Sequence, residues 1–281
     1  MNSTSGTEII EVANGIFARL HDGLTNAGIL VGEDSVLVID SLRVPSFARE
    51  LISDVKLITN KPIKYLIDTH AHWDHSWGNE EFPEATIIGH DNCYSEMVDV
   101  EYTEQWRSQI ITSGDPWAEE AKLVNVTPPN LTFESKMSLY FGGRELRLLY
   151  LGKAHTSGDI YIHVPSEKLL FTGDVIQDRR VPYLGDSYPG DWPETDKQIS
   201  SIPIDRFISG HGPIGTHQDL LEACEFIYQL VGNTKDSIHQ GSSAAKAVSE
   251  VLGDMRDRFG DWVGFDTIEE RFPEIFRKLS I

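Results

Sequence analysis

Seven side chains with metal-binding chemistry carry the functional signal of this chain. Four of them fall together in the segment YLIDTHAHWDHSWGNEEF, as His70, His72, Asp74 and His75. A turn is built from Gly, Asn, Asp or Ser, and imidazoles offer it no conformational advantage. In an extended segment side chains two apart point the same way, so His70 and His72 can face one ion. If the strand ran on, Asp74 would join them and His75 would turn away. Serving two ions instead requires the chain to bend after His72, and Gly78 and Asn79 just downstream suit a tight return. Three more donors, His155 in GKAHTSGD, Asp174 in LLFTGDVI and His211 in FISGHGP, each follow a segment that reads as a strand. Five histidines and two aspartates offer nitrogen and oxygen only, a set that suits zinc above all, with iron or manganese as alternatives.

The elements that must position these residues follow from hydrophobic periodicity. TEIIEVA, GIFARL, NAGILV and SVLVID read as short strands with turns between them. Phe47, Leu51, Val55 and Ile58 recur at helical spacing, and KPIKYLIDT returns as a strand that ends at the His cluster. Open α/β folds build their sites on such loops, at the carboxyl ends of strands. ATIIGH is another strand, and residues 91–109 are expected as one helix. MSLYFGGRELRLLYL reads as a hairpin turning at Gly142 and Gly143. DIYIHV, LLFTGD and RFISGHG complete the strands. From Thr216 onward the pattern is helical, and Pro273 lies inside the last helix.

A length of 281 residues suits one large domain, expected over 1–281 with a core at about 8–213 and a helical extension at about 216–281. The formal charge is -20, from 44 acidic against 24 basic residues, and a field of that sign repels nucleic acid. A small-molecule substrate is the expected partner. MNSTSGTEII carries no basic start and no apolar h-region, and no apolar run is long enough to span a bilayer, so a cytoplasmic location away from membranes is expected. Cys93 and Cys224 sit on helical apolar stripes and read as buried thiols.

The ordered set HAHWDH, His155, Asp174 and His211 resembles the metallo-β-lactamase-fold hydrolase superfamily, and the resemblance reaches from roughly Glu8 to Pro213. It implies a four-layer αββα sandwich with a metal pair at one edge between the sheets. Carried over residue by residue, it implies that His70, His72 and His155 bind one ion, Asp74, His75 and His211 the second, and that Asp174 bridges both. It further implies a dinuclear hydrolase in which a metal-bridging hydroxide attacks an ester, thioester or lactone carbonyl, with Asp74 orienting it or relaying a proton. Two divalent ions against two aspartates and a hydroxide leave about +1, which favours an anionic or carbonyl-bearing substrate. Cysteine-bearing β-lactamases of the superfamily place Cys where this chain has Asp174, so the resemblance points to thioesterase, lactonase and phosphoesterase branches. β-Lactam hydrolysis and a mononuclear-iron persulfide dioxygenase remain as alternatives.

Around these ligands, Asp40 at the end of SVLVID reads equally as an acceptor behind a ligand histidine and as a turn residue. Asp159 invites the same reading as Asp40, with Thr156 bonding locally. Trp73 and Trp77 are expected to pack the metal loop. The Pro- and Gly-rich stretch 177–192 is expected to form a lid, with Arg180 or Tyr183 reaching substrate. His21, His163, His217 and His239 sit in ordinary contexts, whereas His90 ends a strand and stays open as a site residue.

Overall fold

The computed structural model describes residues 6–280. Strands β1 (Thr7–Ala13), β2 (Ile16–His21), β3 (Ala27–Val31), β4 (Val36–Ile39), β5 (Ile63–Ile67), β6 (Thr86–His90) and β7 (Leu131–Phe133) form one sheet in sequential order. β1 to β4 run antiparallel, and β4 to β7 run parallel. The crossovers that parallel pairing demands are α1 (Pro45–Ile58) between β4 and β5, the short α2 (Trp73–Ser76) after β5, and α3 (Asp91–Val98), α4 (Val100–Thr112) and α5 (Ala118–Ala121) between β6 and β7.

The second sheet contains β8 (Lys136–Phe141), β9 (Arg144–Tyr150), β10 (Ile160–Val164), β11 (Leu169–Gly173), β12 (Arg206–Ser209) and β13 (Gly215–Thr216), in the order β13-β12-β11-β10-β9-β8. Gly142 and Gly143, at φ 59° and 76°, make the left-handed turn between β8 and β9 that a two-residue hairpin requires. α6 (Trp192–Ile199) crosses from β11 to the parallel β12. α7 (His217–His239), α8 (Ala244–Phe259) and α9 (Ile268–Leu279) close the chain.

Alternation along the strands builds the layers. On β4, Leu37 and Ile39 face the second sheet, while Val36 and Val38 meet Ala48, Leu51 and Val55 of α1. On β10, Ile160 and Ile162 point to the first sheet, and Tyr161 joins Phe226, Met255 and Phe272 of α7, α8 and α9. Strands covered on both faces read as unbroken apolar runs, which VLVI does and IYIHV does but for His163. The result is helix, sheet, sheet, helix: the αββα sandwich that the resemblance implies.

Residues 91–109 are not one helix. The chain breaks at Asp99, with φ -73° and ψ 111°, where the carboxylate accepts hydrogen bonds from the amides of Glu101 and Tyr102 and so caps α4. β7, β13 and α6 were not expected; the two strands have three and two residues, too few for a period-2 pattern to show.

Candidate metal centre

All seven donors gather at the edge where β5, β11 and β12 end. Three overlapping groups form there, His70–His72–His155, His70–His75–Asp174 and Asp74–His75–His211, and within each the ligand atoms lie within 4.8 Å of one another. The bend after His72 is one turn of helix: His72 sits at φ -59°, ψ 143° and its carbonyl accepts from the amides of His75 and Ser76. Asp74 and His75 are thereby carried to one side and His70 and His72 to the other.

Hydrogen bonds behind the rings fix which nitrogen His70, His72, His75 and His211 present. His75 Nδ1 donates to Asp40 Oδ2 at 2.8 Å, leaving Nε2 toward the site, 3.4 Å from Asp174 Oδ1. His70 Nδ1 lies 2.9 Å from Thr69 Oγ1, which donates on to Asp40 Oδ2 at 2.9 Å. One carboxylate therefore stands behind a histidine of each flanking group. His211 Nδ1 donates to the Leu24 carbonyl at 3.1 Å, and its Nε2 lies 3.2 Å from Asp74 and 3.3 Å from Asp174. His72 differs: Nε2 donates to Asp186 Oδ2 at 2.9 Å, and Nδ1 lies 2.8 Å from His155 Nε2.

Buried polar atoms normally find partners, yet among the described residues His70 Nε2, His75 Nε2 and Asp174 Oδ1 have no hydrogen-bond partner, and all face this space. Divalent cations held by nitrogen and oxygen donors would satisfy these atoms, so the residues present fit a metal site.

The electrostatics agree. Burial works against charge on His211, but Asp174 and Asp74 outweigh it and raise the imidazole to about 9. Burial likewise opposes ionised Asp174, but His211 and His75 hold it well below the usual carboxylate range. His155 is lowered to about 4 by burial and the neighbouring His72. A pair of buried carboxylates draws positive charge to the second group; in the first, burial lowers His70 and His155, whereas at His72 burial is outweighed by Asp186, which raises the imidazole.

Asp40 is the acceptor behind histidines, and it stands at φ 62°, a left-handed conformation that Asp tolerates. Asp159 is not: its carboxylate accepts from the Thr156 amide and hydroxyl at 2.8 and 2.7 Å and braces the loop after His155. His90 is no site residue either. It stacks on Tyr150 at 3.9 Å and caps α3, accepting from the Asn92 amide. Gly78 lies in the turn after α2, as expected, but at φ -79°, which any residue adopts; what requires glycine there is the close approach of Ser41, whose carbonyl oxygen would lie 2.1 Å from a Cβ. Asn79 instead ties the loop to Asp68 Oδ2 at 2.7 Å. Trp73 and Trp77 pack against Val44, Trp106 and Trp117 as expected. Cys93 and Cys224 are free thiols.

Asp186 was not foreseen. It lies between Tyr183 and Tyr188 in the 177–192 stretch, and burial against the pull of His72 settles its carboxyl at about 2. Tyr183 lies 6.1 Å from the His72 ring and 5.6 Å from Trp106. Together with Tyr102, Asp186 and Arg271 these rings line a cavity of about 370 Å³ beside His72. Lys278 of α9 donates to the carbonyls of Gly185 and Ser187 and so pins the stretch to the last helix.

The model of the metallo-beta-lactamase superfamily matches residues 21–211, and the chain belongs to that superfamily. Among curated proteins, the chain is 24% identical over 208 residues to the metallo-beta-lactamase type 2 of Bacillus cereus, covering 72% of this chain and 73% of that one. It is 24% identical over 202 residues to the acyl-coenzyme A thioesterase MBLAC2 of Bos taurus, covering 66% and 72% respectively. Among solved structures, a metallo-beta-lactamase from Pontibacter korlensis superposes with a TM-score of 0.63 at 17% identity, over 79% of this chain and 99% of that one. No helix among the described residues is long and apolar enough to cross a membrane.

Proposed function

We propose that this chain is a dinuclear metal-dependent hydrolase, with zinc as the resident metal, that cleaves an ester, thioester or lactone bond of a small molecule. The observation that carries the reading is the pair of donor groups on either side of Asp174, with inward nitrogens left unpartnered by the protein. His70, His72 and His155 would hold one ion, Asp74, His75 and His211 the other, and Asp174 both. Such ions, when bound, bring the pKa of coordinated water toward neutrality and polarise a substrate carbonyl.

The chain's own residues supply the rest. Asp40, Asp186 and the Leu24 carbonyl keep four imidazoles in the ligating tautomer, so no reorientation is needed as charge develops. Asp74 is 17% exposed against 7% for Asp174, which makes it the carboxylate able to exchange a proton with solvent and to orient the nucleophile. Trp106 and Tyr183 form an apolar wall beside His72, and the 177–192 stretch serves as the lid over it. The charge of -20 turns nucleic acid away and leaves small carbonyl compounds as substrates. Names of relatives fall on both a β-lactamase and a thioesterase; the aspartate at position 174 favours the latter side.

The test is a hydrolysis panel of a small thioester, a lactone, a phosphodiester and a β-lactam, run with wild type and Asp174→Ala. The reading expects carbonyl substrates to be turned over and the variant to lose at least a hundredfold in kcat/KM. Oxygen consumption with a persulfide and no hydrolysis would replace it with the dioxygenase.

A further inference from the structure

Arg43 is an unusual residue to find beside this centre. It is 5% exposed and forms no ion pair with a carboxylate among the described residues, although a buried charge without a partner is costly. Three rings surround its guanidinium, Phe47 and Trp73 each at 5.4 Å and Trp117 at 4.5 Å. Stacking of that kind suits the flat, weakly hydrated guanidinium and would not hold a lysine ammonium in the same way. The cage directs Nη2 to Thr25 Oγ1 at 3.2 Å, and Thr25 Oγ1 donates to Asp74 Oδ2 at 3.0 Å. That same oxygen of Asp74 faces His211 Nε2 at 3.2 Å.

Thr25 also pairs with His211 in an isolated antiparallel bridge, and the next residue, Asn26, donates to the carbonyls of Ser209 and Gly212. The turn between β2 and β3 thus sets the backbone of His211 and the carboxylate of Asp74 together. Arg43 reaches the turn from a segment under local strain, since Asp40 and Leu42 are both left-handed, at φ 62° and 71°. Ser41 between them donates to the His75 carbonyl through its amide, at 2.7 Å, and its hydroxyl, at 3.2 Å.

We infer that Arg43, acting through Thr25, is a positioning residue for the second metal group: it locks the rotamer of Asp74, so that Asp74 and His211 are set for an ion before one arrives. The inference rests on the dinuclear reading. An Arg held only for packing would not need its Nη2 aimed at a hydroxyl that touches Asp74. A hydrogen bond from Thr25 occupies one lone pair of Oδ2 and leaves the rest of the carboxylate to ligate.

The experiment is a cobalt(II) titration of metal-free protein, followed by visible absorption, which resolves two binding steps. It uses wild type, Thr25→Val, Thr25→Ser and Arg43→Met, with apo-protein stability measured in urea alongside. Thr25→Val and Arg43→Met are expected to weaken the second step about ten- to a hundredfold and to leave the first within threefold. Thr25→Ser, which restores the hydroxyl, is expected within threefold of wild type in both. An unchanged second step in Thr25→Val, an equal loss in Thr25→Ser, or an equal loss of both steps would overturn the inference while leaving two sites in place. A wild type that takes up fewer than two equivalents would overturn the dinuclear reading, and this inference with it. Should Arg43→Met fold poorly, the Val and Ser pair decides alone.

Discussion

Replacing Asp40 by Asn exchanges one oxygen for an NH2 group and tests how the two metal groups are coupled. Oδ1 of Asp40 accepts from the Thr69 amide at 2.8 Å, so the amide oxygen of Asn must occupy that place. Its nitrogen then stands where Oδ2 accepted from Thr69 Oγ1 and from His75 Nδ1. His75 must turn its lone pair outward on Nδ1 and carry its proton on Nε2, the atom that would ligate. Thr69 must accept from the new amide and donate to His70, which moves the His70 proton to Nε2 as well. One substitution therefore puts a histidine of each group in the wrong tautomer. Hydrogen bonds to a charged group are worth about 1.5–3 kcal/mol each, and 1.4 kcal/mol is tenfold in a binding constant. Loss of one such bond per site lowers metal affinity by about ten- to a hundredfold, the range typical of groups behind metal ligands. Asn tolerates the left-handed φ of 62°, so the backbone stays in place. Competition with a chromophoric chelator measures affinity, and urea unfolding of the apo-protein checks the fold. Wild-type affinity at both sites in a folded Asp40→Asn protein would refute the tautomer argument.

Three further substitutions probe other parts. Asp186→Ala leaves His72 Nε2 without its acceptor and is expected to weaken the first metal step about tenfold with the second unaffected, read by the same competition assay. At Gly210 a Cβ would lie 2.1 Å from Asp174 Oδ1 and 2.5 Å from His75 Cε1, so Gly210→Ala is expected to abolish tight metal uptake in a protein that still melts cooperatively; retained uptake would show that the carboxylate can move. Asp159 is raised by burial to about 7, so the folded state holds its proton more tightly than the unfolded chain, and stability from this group is lost as pH climbs from about 4 to 7. The full loss is bounded at about 4 kcal/mol. Asp159→Asn, which can still serve Thr156, is expected to remove that slope and to exceed wild type in urea resistance at pH 8; a variant-to-wild-type difference that is equal at pH 5 and pH 8 would count against it.

The candidate donors were legible because three histidines crowd into six positions, and imidazoles have no turn-forming role to explain them. The strands were legible where both faces are covered, as in VLVI, and illegible where they are two or three residues long. Asp40 stayed open because a strand-ending Asp suits a turn as well as a histidine, and only the contact with His75, 35 positions away, decides. Asp186 was illegible for a similar reason. It meets His72 across 114 positions, and nothing local sets it apart from Asp178 or Asp191. The turn at Gly78 was legible, but the reason it must be glycine was not, because the neighbour that requires it, Ser41, lies on another segment. Arg43 belongs with these, since its cage comes from α1, α2 and the start of α5.

The proposal that two metal ions share Asp174 is tested most directly by anomalous X-ray scattering from crystals of the protein, recorded above and below the zinc edge. Two zinc peaks are expected, one among His70, His72 and His155 and one among Asp74, His75 and His211, with Asp174 between them. A single peak at the first group that follows the iron edge, with the second group holding only water, would contradict that proposal.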